Sequence, residues 1–224
     1  MIEKVLVIAP HADDETLGCG GTLLRHKKNG DEIHFLLAAD ALQNENISGV
    51  SYEERNIQIE KIIDFYKFNS VHRLGFTSCL LDSYPINDII TKISNVISKT
   101  QPSIIYFPYS EDIHTDHNII FKAVASCTKW FRYPSIHSIL VYETLSETNF
   151  SLNVTGISFK PNFYVNISDF MNDKIKALEI YKSELMEHPF PRSIKAVKAL
   201  SLLRGSECGY EAAESFMILK KIKK

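Results

Sequence analysis

Two short stretches concentrate side chains that could share a chemical task. "PHADDE", residues 10–15, sets a histidine beside three carboxylates, and "EDIHTDH", residues 111–117, sets two histidines among three more. Like charges this close repel, so such a run sits easily only on a solvated turn or around a cation. Taken together, His11, Asp14 and His117 offer two imidazoles and a carboxylate, a donor set suited to zinc or another divalent first-row metal. Three protein donors leave a position for water, as in catalytic rather than structural sites. His114 and His117 are separated by three and share a face at a helix start, so one can bind metal while the other faces substrate. Asp13 and Asp14 point in different directions, so one can ligate while its neighbour takes a proton from water.

Plainer readings compete with this one. An Asp-Asp-Glu run before a helix also complements the helix dipole, and His-Asp pairs before helices serve as caps. Gly18, Gly20 and Gly21 lack the G-x-G-x-x-G spacing, so close helix packing explains them better than dinucleotide binding.

The surrounding pattern places both stretches at strand ends. "KVLVIAP" reads as a buried strand and "TLGCGGTLLRHKKNG" as a helix ended by Gly30. "EIHFLLAAD" reads as a second strand, and residues 51–68 as an amphipathic helix with Ile59, Ile62, Ile63 and Tyr66 on one side. Then follow the strand "HRLGF", a helix from Asn87 to Lys99, the strand "SIIYFP", the helix "DHNIIFKAVASCTKWF" and the strand "SILVYET". This alternation with continuously apolar strands predicts an α/β fold, a Rossmann-like three-layer α/β/α arrangement with a mainly parallel sheet. Ligands of such sheets lie beyond the carboxyl ends of the strands, where both stretches fall. From about residue 159 the pattern changes: Ser168 is expected to cap the helix carrying Ile175, Leu178 and Tyr181, and two further helical stretches follow. No linker interrupts the chain, so residues 1–224 are expected to form a single domain.

Composition narrows the function classes. Hydrophobic residues make up 45% and charged ones 23%, a globular balance, and the formal net charge of -2 gives no basic field for nucleic acid. The four cysteines lack C-x-x-C spacing, which predicts reduced thiols and a cytoplasmic protein. No apolar run reaches the length of a membrane span, so no stable membrane insertion is expected. The basic tail "LKKIKK" reads as a frayed, solvated end.

Taken as a set, these motifs resemble the PIG-L/LmbE family of metal-dependent deacetylases acting on N-acetylglucosamine-type sugars. "PHADDE" is similar to the family's P/A-H-P-D-D-E, with Ala12 in place of the usual proline, and "HTDH" to its H-x-D-H. The resemblance continues through "YE" at Tyr142–Glu143, "PNFYVNIS" and "KIKAL", and ends at "RGSECGYEAAESF", similar to R-G-x-x-x-G-x-x-Y-A-E-x-F. It covers nearly the whole chain. It implies that His11, Asp14 and His117 hold the metal, Zn2+ or another divalent first-row ion. Asp13 would be the general base, and His114 would stabilise the oxyanion and help the amine leave. Asp116 would orient a histidine, the usual partner of a ligating imidazole. Arg55 matches a family arginine that reaches substrate, although Gln58 stands where a glutamate is often found. Asp112 would accept a sugar hydroxyl or cap its loop, Arg204 and Glu214 would be structural or line the cleft, the structural role being favoured, and Glu15 a buried or dipole-facing partner.

The expected function is removal of acetate from a small-molecule N-acetyl amino-sugar conjugate, with a homo-oligomer left open. The alternatives are metal-dependent hydrolysis of another amide or ester, and a non-catalytic sugar-binding module. Retention of Asp13 and His114 argues against the last, since binding alone needs neither. Tyr106, Phe107 and Tyr109 could wall a sugar site, with strand core as the commoner fate.

Overall fold

The computed structural model describes residues 2–41, 49–152 and 158–223. Its centre is β1, Lys4–Ala9, whose side chains from Val5 to Ala9 are all buried. A strand covered on both faces needs apolar residues at every position, and "VLVIA" supplies them. Val5, Val7 and Ala9 face one core with Leu23, Phe35, Ile59 and Ile62. Leu6 and Ile8 face the other, with Ile89, Ile93, Ile120 and Val124.

The first core packs under helices α1 (Asp14–Lys28) and α2 (Tyr52–Tyr66), the second under α3 (Ile86–Thr100) and α4 (Thr115–Ser126). Strands β2 (Glu32–Ala41), β3 (Ser70–Thr77), β4 (Ile104–Pro108) and β5 (Ser138–Tyr142) run parallel with β1. With β6 (Phe163–Asn166) and β7 (Ala213–Lys221) they form a seven-stranded sheet ordered β3-β2-β1-β4-β5-β7-β6. The three-layer α/β/α expectation therefore holds. Strand order reverses between β1 and β4, which places a crevice beyond their carboxyl ends.

The last quarter differs from the expectation. Ser168 opens a short 3₁₀ turn, Ser168–Phe170, and its hydroxyl donates to Asn166 Oδ1 at 2.7 Å. It caps no helix: α5, Met171–Ile180, starts after Phe170 without a side-chain cap. One further α-helix follows among the described residues, α6 (Ile194–Cys208), and then β7. β7 joins the sheet antiparallel, with Lys221 in register with Ser138, so much of the basic tail is strand rather than frayed end. "TKWF" also leaves its helix early, since α4 ends at Ser126. No helix among the described residues is long and apolar enough to cross a membrane. Cys19, Cys79, Cys127 and Cys208 are all free thiols, of which Cys79 is exposed.

Helix α1 is buried from Asp14 to Leu23 because its glycines let neighbours approach. A Cβ on Gly18 would lie 2.3 Å from the Tyr142 ring, and one on Gly21 would lie 2.6 Å from Ile167. Glu214 on β7 reaches into the same helix, accepting the amide protons of Gly21 at 2.8 Å and Thr22 at 2.7 Å. Lys174 on α5 donates to Glu214 at 2.7 Å and to the Leu17 carbonyl at 2.8 Å. Arg204 pairs with Glu143 and Glu207. Both motif residues are thus structural, as expected.

Replacing Glu214 with alanine leaves a buried lysine and two amide groups without their partner. Chemical denaturation is expected to show a loss of about 3–5 kcal/mol, as when one member of a buried ion pair is removed. A loss below about 0.5 kcal/mol, as for an ordinary surface substitution, would contradict this role.

Candidate metal-assisted hydrolytic site

The loop after β1 and the loop after β4 meet across the crevice because their strands are parallel neighbours, Val5 paired with Ile104 and Val7 with Tyr106. The first delivers His11, Asp13 and Asp14; the second delivers Asp112, His114, Asp116 and His117.

Hydrogen bonds settle what each imidazole offers. Ionised carboxylates only accept, so a ring nitrogen hydrogen-bonded to one carries a proton, and the other nitrogen is the one that can give up its proton and offer a lone pair to a metal. His11 Nε2 donates to Asp116 Oδ2 at 2.8 Å, which turns Nδ1 toward Asp14 Oδ2, 3.5 Å away. His117 Nδ1 donates to Asp112 Oδ2 at 2.8 Å. Its buried Nε2 makes no hydrogen bond and lies 3.2 Å from the same Asp14 oxygen. His114 is set the other way round. Its Nδ1 accepts the Asp116 amide proton at 3.1 Å, so the proton sits on Nε2, 3.7 Å from the thiol of Cys79.

Three electron-pair donors thus converge: one atom each from His11, Asp14 and His117, all within 4.8 Å of one another. His11, His114 and Asp116 are equally close. In that second group, however, the Asp116 oxygens already accept from His11 and from the backbone amides of Cys79 and Leu81, at 2.8 and 3.2 Å. In the first group Asp14 Oδ2 accepts only the His11 amide proton, at 2.9 Å, against three donors on Asp116, so this group fits a divalent cation, with Asp116 and Asp112 as the outer partners on its two histidines.

Charge in the metal-free chain follows. Burial works against protonated histidine, yet hydrogen bonds that the ring donates to Asp116 and Asp14 outweigh it and raise His11 to about 9. For His117 the charge of Asp14 and the hydrogen bond to Asp112 do the same, raising it to about 10. Asp14 is held well below the usual carboxylate range, because His117 and His11 overcome its burial. His114 is pushed down to about 4 by burial and by the two neighbouring imidazoles.

Asp13 precedes α1 with a φ of 144°, a backbone conformation that costs a side-chain-bearing residue about 1–3 kcal/mol. That twist separates its carboxylate from that of Asp14. Glu15 helps hold it, accepting the Asp13 amide proton at 3.2 Å, so Glu15 is the buried partner expected of it. Burial raises the Asp13 carboxyl to about 8, with Arg192 opposing and Asp14, Glu184 and Glu15 adding to the rise.

A cavity of about 260 Å³ opens onto His11, Asp13, His114, Arg55, Glu184 and Arg192. Arg55 is buried, donating to the Ala12 carbonyl at 3.3 Å and to Glu184. Asp112 departs from its expected sugar contact. It is 3% exposed, and one oxygen takes the His117 proton while the other takes that of Thr148 at 2.6 Å. It stands behind His117 rather than in the cavity. Tyr106, Phe107 and Tyr109 belong to the cores and do not line it. Arg192 was not foreseen: it donates to Asp13 Oδ2 at 2.8 Å and to Glu147 at 2.8 Å, from the loop before α6.

The chain is similar to known proteins in sequence and in fold. The family described as PIG-L, GlcNAc-PI de-N-acetylase, matches residues 6–128, more than half of the chain. Diacetylchitobiose deacetylase of Thermococcus kodakarensis is 25% identical over 230 residues, covering 99% of this chain and 85% of that one. A Bacillus cereus protein named as a probable N-acetyl-alpha-D-glucosaminyl L-malate deacetylase 2 is 24% identical over 196 residues, 82% of this chain and 84% of the relative. The solved structure of N,N'-diacetylchitobiose deacetylase from Pyrococcus horikoshii shares the fold with a TM-score of 0.77 at 22% identity, covering 97% of this chain and 84% of that one. With its residues 6–128 matched, the chain belongs to the family described as PIG-L, GlcNAc-PI de-N-acetylase.

Proposed function

We propose that this protein is a metal-dependent N-deacetylase that removes acetate from an N-acetylated amino sugar of the N-acetylglucosamine type. His11, Asp14 and His117 would hold the ion, zinc being the divalent metal best matched to two imidazoles and a carboxylate. The observation that carries the reading is the pair of lone-pair nitrogens, each fixed by a carboxylate on the far side of its ring, facing one oxygen of Asp14. The names of the two relatives supply the substrate class, and the single sheet running from Lys4 to Lys221 supports reading residues 1–224 as one domain.

A divalent ion held there brings the pKa of a water to about 7 and polarises the amide carbonyl. Asp13 accepts the proton of the attacking water, a task suited to a carboxylate whose basicity burial has raised. Arg192 keeps the Asp13 carboxylate turned toward the cavity through its 2.8 Å contact. His114 presents Nε2–H to the oxygen that becomes negative as the carbonyl carbon turns tetrahedral, a donor worth roughly 3–4 kcal/mol in such sites. The proton held by Asp13 passes to the nitrogen as the carbon–nitrogen bond breaks, and acetate and the free amine leave.

The zinc-loaded protein is expected to release acetate from at least one member of a panel of N-acetylglucosamine conjugates, with a matching mass loss in the product. No release from any conjugate overturns the proposed substrate class. Asp13→Ala should lower turnover by about a hundredfold or more, in line with removal of a general base, with metal content unchanged. Turnover at the wild-type level would remove Asp13 from that role.

Metal binding should also be proton-linked. Below about 9 and 10 respectively His11 and His117 are protonated in the metal-free chain, so a metal must displace those protons and its apparent affinity falls as pH falls. Calorimetry near pH 7 in buffers of different ionisation enthalpy should read about two protons released per ion. Binding without proton release would contradict the ligand assignment.

A further inference from the structure

The cavity beside the proposed metal site has two arginines in its lining among the described residues, Arg55 and Arg192. Either could receive a carboxylate or phosphate on the group that carries the sugar. Neither is free to do so. Glu184, on the short turn Lys182–Glu184, reaches into the cavity wall and takes Arg55 with one oxygen and Arg192 with the other, the latter at 3.4 Å. Arg192 donates besides to Asp13 and Glu147, each at 2.8 Å, and to the Ser146 hydroxyl at 2.7 Å. The remaining hydrogen bond of Arg55 goes to the Ala12 carbonyl.

The turn that carries Glu184 is itself pinned. Gln58 on α2, one helical turn after Arg55, donates to the hydroxyl of Ser183 at 3.1 Å. An amide at position 58 can donate this bond, whereas a carboxylate could not.

We infer that the cavity selects a conjugate whose carrier is uncharged and rejects one bearing a carboxylate or phosphate next to the sugar, with Glu184 as the specificity-determining residue. Glu184 stands where such an anion would bind. An incoming anion must either displace it from both guanidinium groups or lie unpaired beside Asp13, Glu147 and Glu184, and like-charge contact of this kind discriminates against the wrong ligand. A neutral, hydroxyl-rich carrier meets no such opposition. This inference rests on the N-deacetylase reading of the same site.

Two isosteric probes separate charge from shape: the carbamoylmethyl and carboxymethyl glycosides of N-acetylglucosamine. On the zinc-loaded enzyme kcat/KM for the amide should exceed that for the acid by about tenfold or more. In Glu184→Gln the ratio should shrink or reverse, chiefly through a lower KM for the acid. Melting of the variant shows whether it is folded; if it is not, the wild-type ratio decides alone. Calorimetric titration of the metal-free protein with both glycosides reads the same preference without chemistry. Tighter binding of the amide supports the inference even where no acetate is released, a result that would overturn deacetylation only. Equal rates, or equal binding, on the two glycosides overturns the inference and leaves deacetylation standing.

Discussion

Everything at this site depends on one electrostatic problem, the convergence of two imidazole lone pairs on a single buried carboxylate oxygen. Acceptors meeting at 3.2 and 3.5 Å repel unless a positive charge lies among them. In the metal-free chain two ring protons meet that need, and a divalent ion would meet it with one centre. The second row of residues makes the arrangement directional. Asp116 and Asp112 bind the far nitrogens, so the rings can neither rotate nor exchange tautomers without breaking a hydrogen bond in a buried setting. His114 stays outside this scheme because its partner is a backbone amide, a donor, and its proton therefore points into the cavity.

Much of the fold was legible in the sequence, and what was not has a physical reason. Central strands such as β1 and β4 are covered on both faces and read as unbroken apolar runs. β6 is four residues long and half-buried throughout, and β7 passes from buried Ala213–Phe216 to the exposed lysines of its end. Neither pattern has the continuous apolar signal of a parallel strand, so their antiparallel pairing at the sheet edge was hidden. Ser168 looked like a cap because serine favours that position, but its hydroxyl oxygen accepts the Ala212 amide proton, at 3.2 Å, rather than one from a helix.

The site divides the same way. The histidines and aspartates lie in two compact motifs, each at a strand end, and motif and topology pointed to one crevice. Arg192 lies 179 residues from Asp13, in a loop with no periodicity, and nothing local marks it as a partner. Only the Ser193 cap beside it, which binds the amide of Ala196 at 3.2 Å, signals that a helix begins there. Spacing cannot choose between the two roles open to Asp112, because two residues of separation from His114 say nothing of which side of His117 it occupies. Burial decides that it stands behind the ring.

The remote C-terminal motif and the N-terminal glycines belong to the same device as the ligands. Asp14 opens α1, so any shift of that helix along its axis would carry the carboxylate oxygen away from both histidines. Tyr142 lies against Gly18 and donates to the Ile8 carbonyl at 2.9 Å, tying the helix to the strand that precedes the loop. Glu214 and Lys174 bond to the helix backbone at Leu17, Gly21 and Thr22, so the helix is held through its backbone rather than through exposed side chains. A side chain larger than hydrogen at Gly18 or Gly21 would push these neighbours out, and the strained turn at Asp13 persists only because both ends of its loop are fixed. Residues as distant as 21 and 214 therefore set the geometry at 14, and a loss of packing there is felt first as a misplaced oxygen in the crevice.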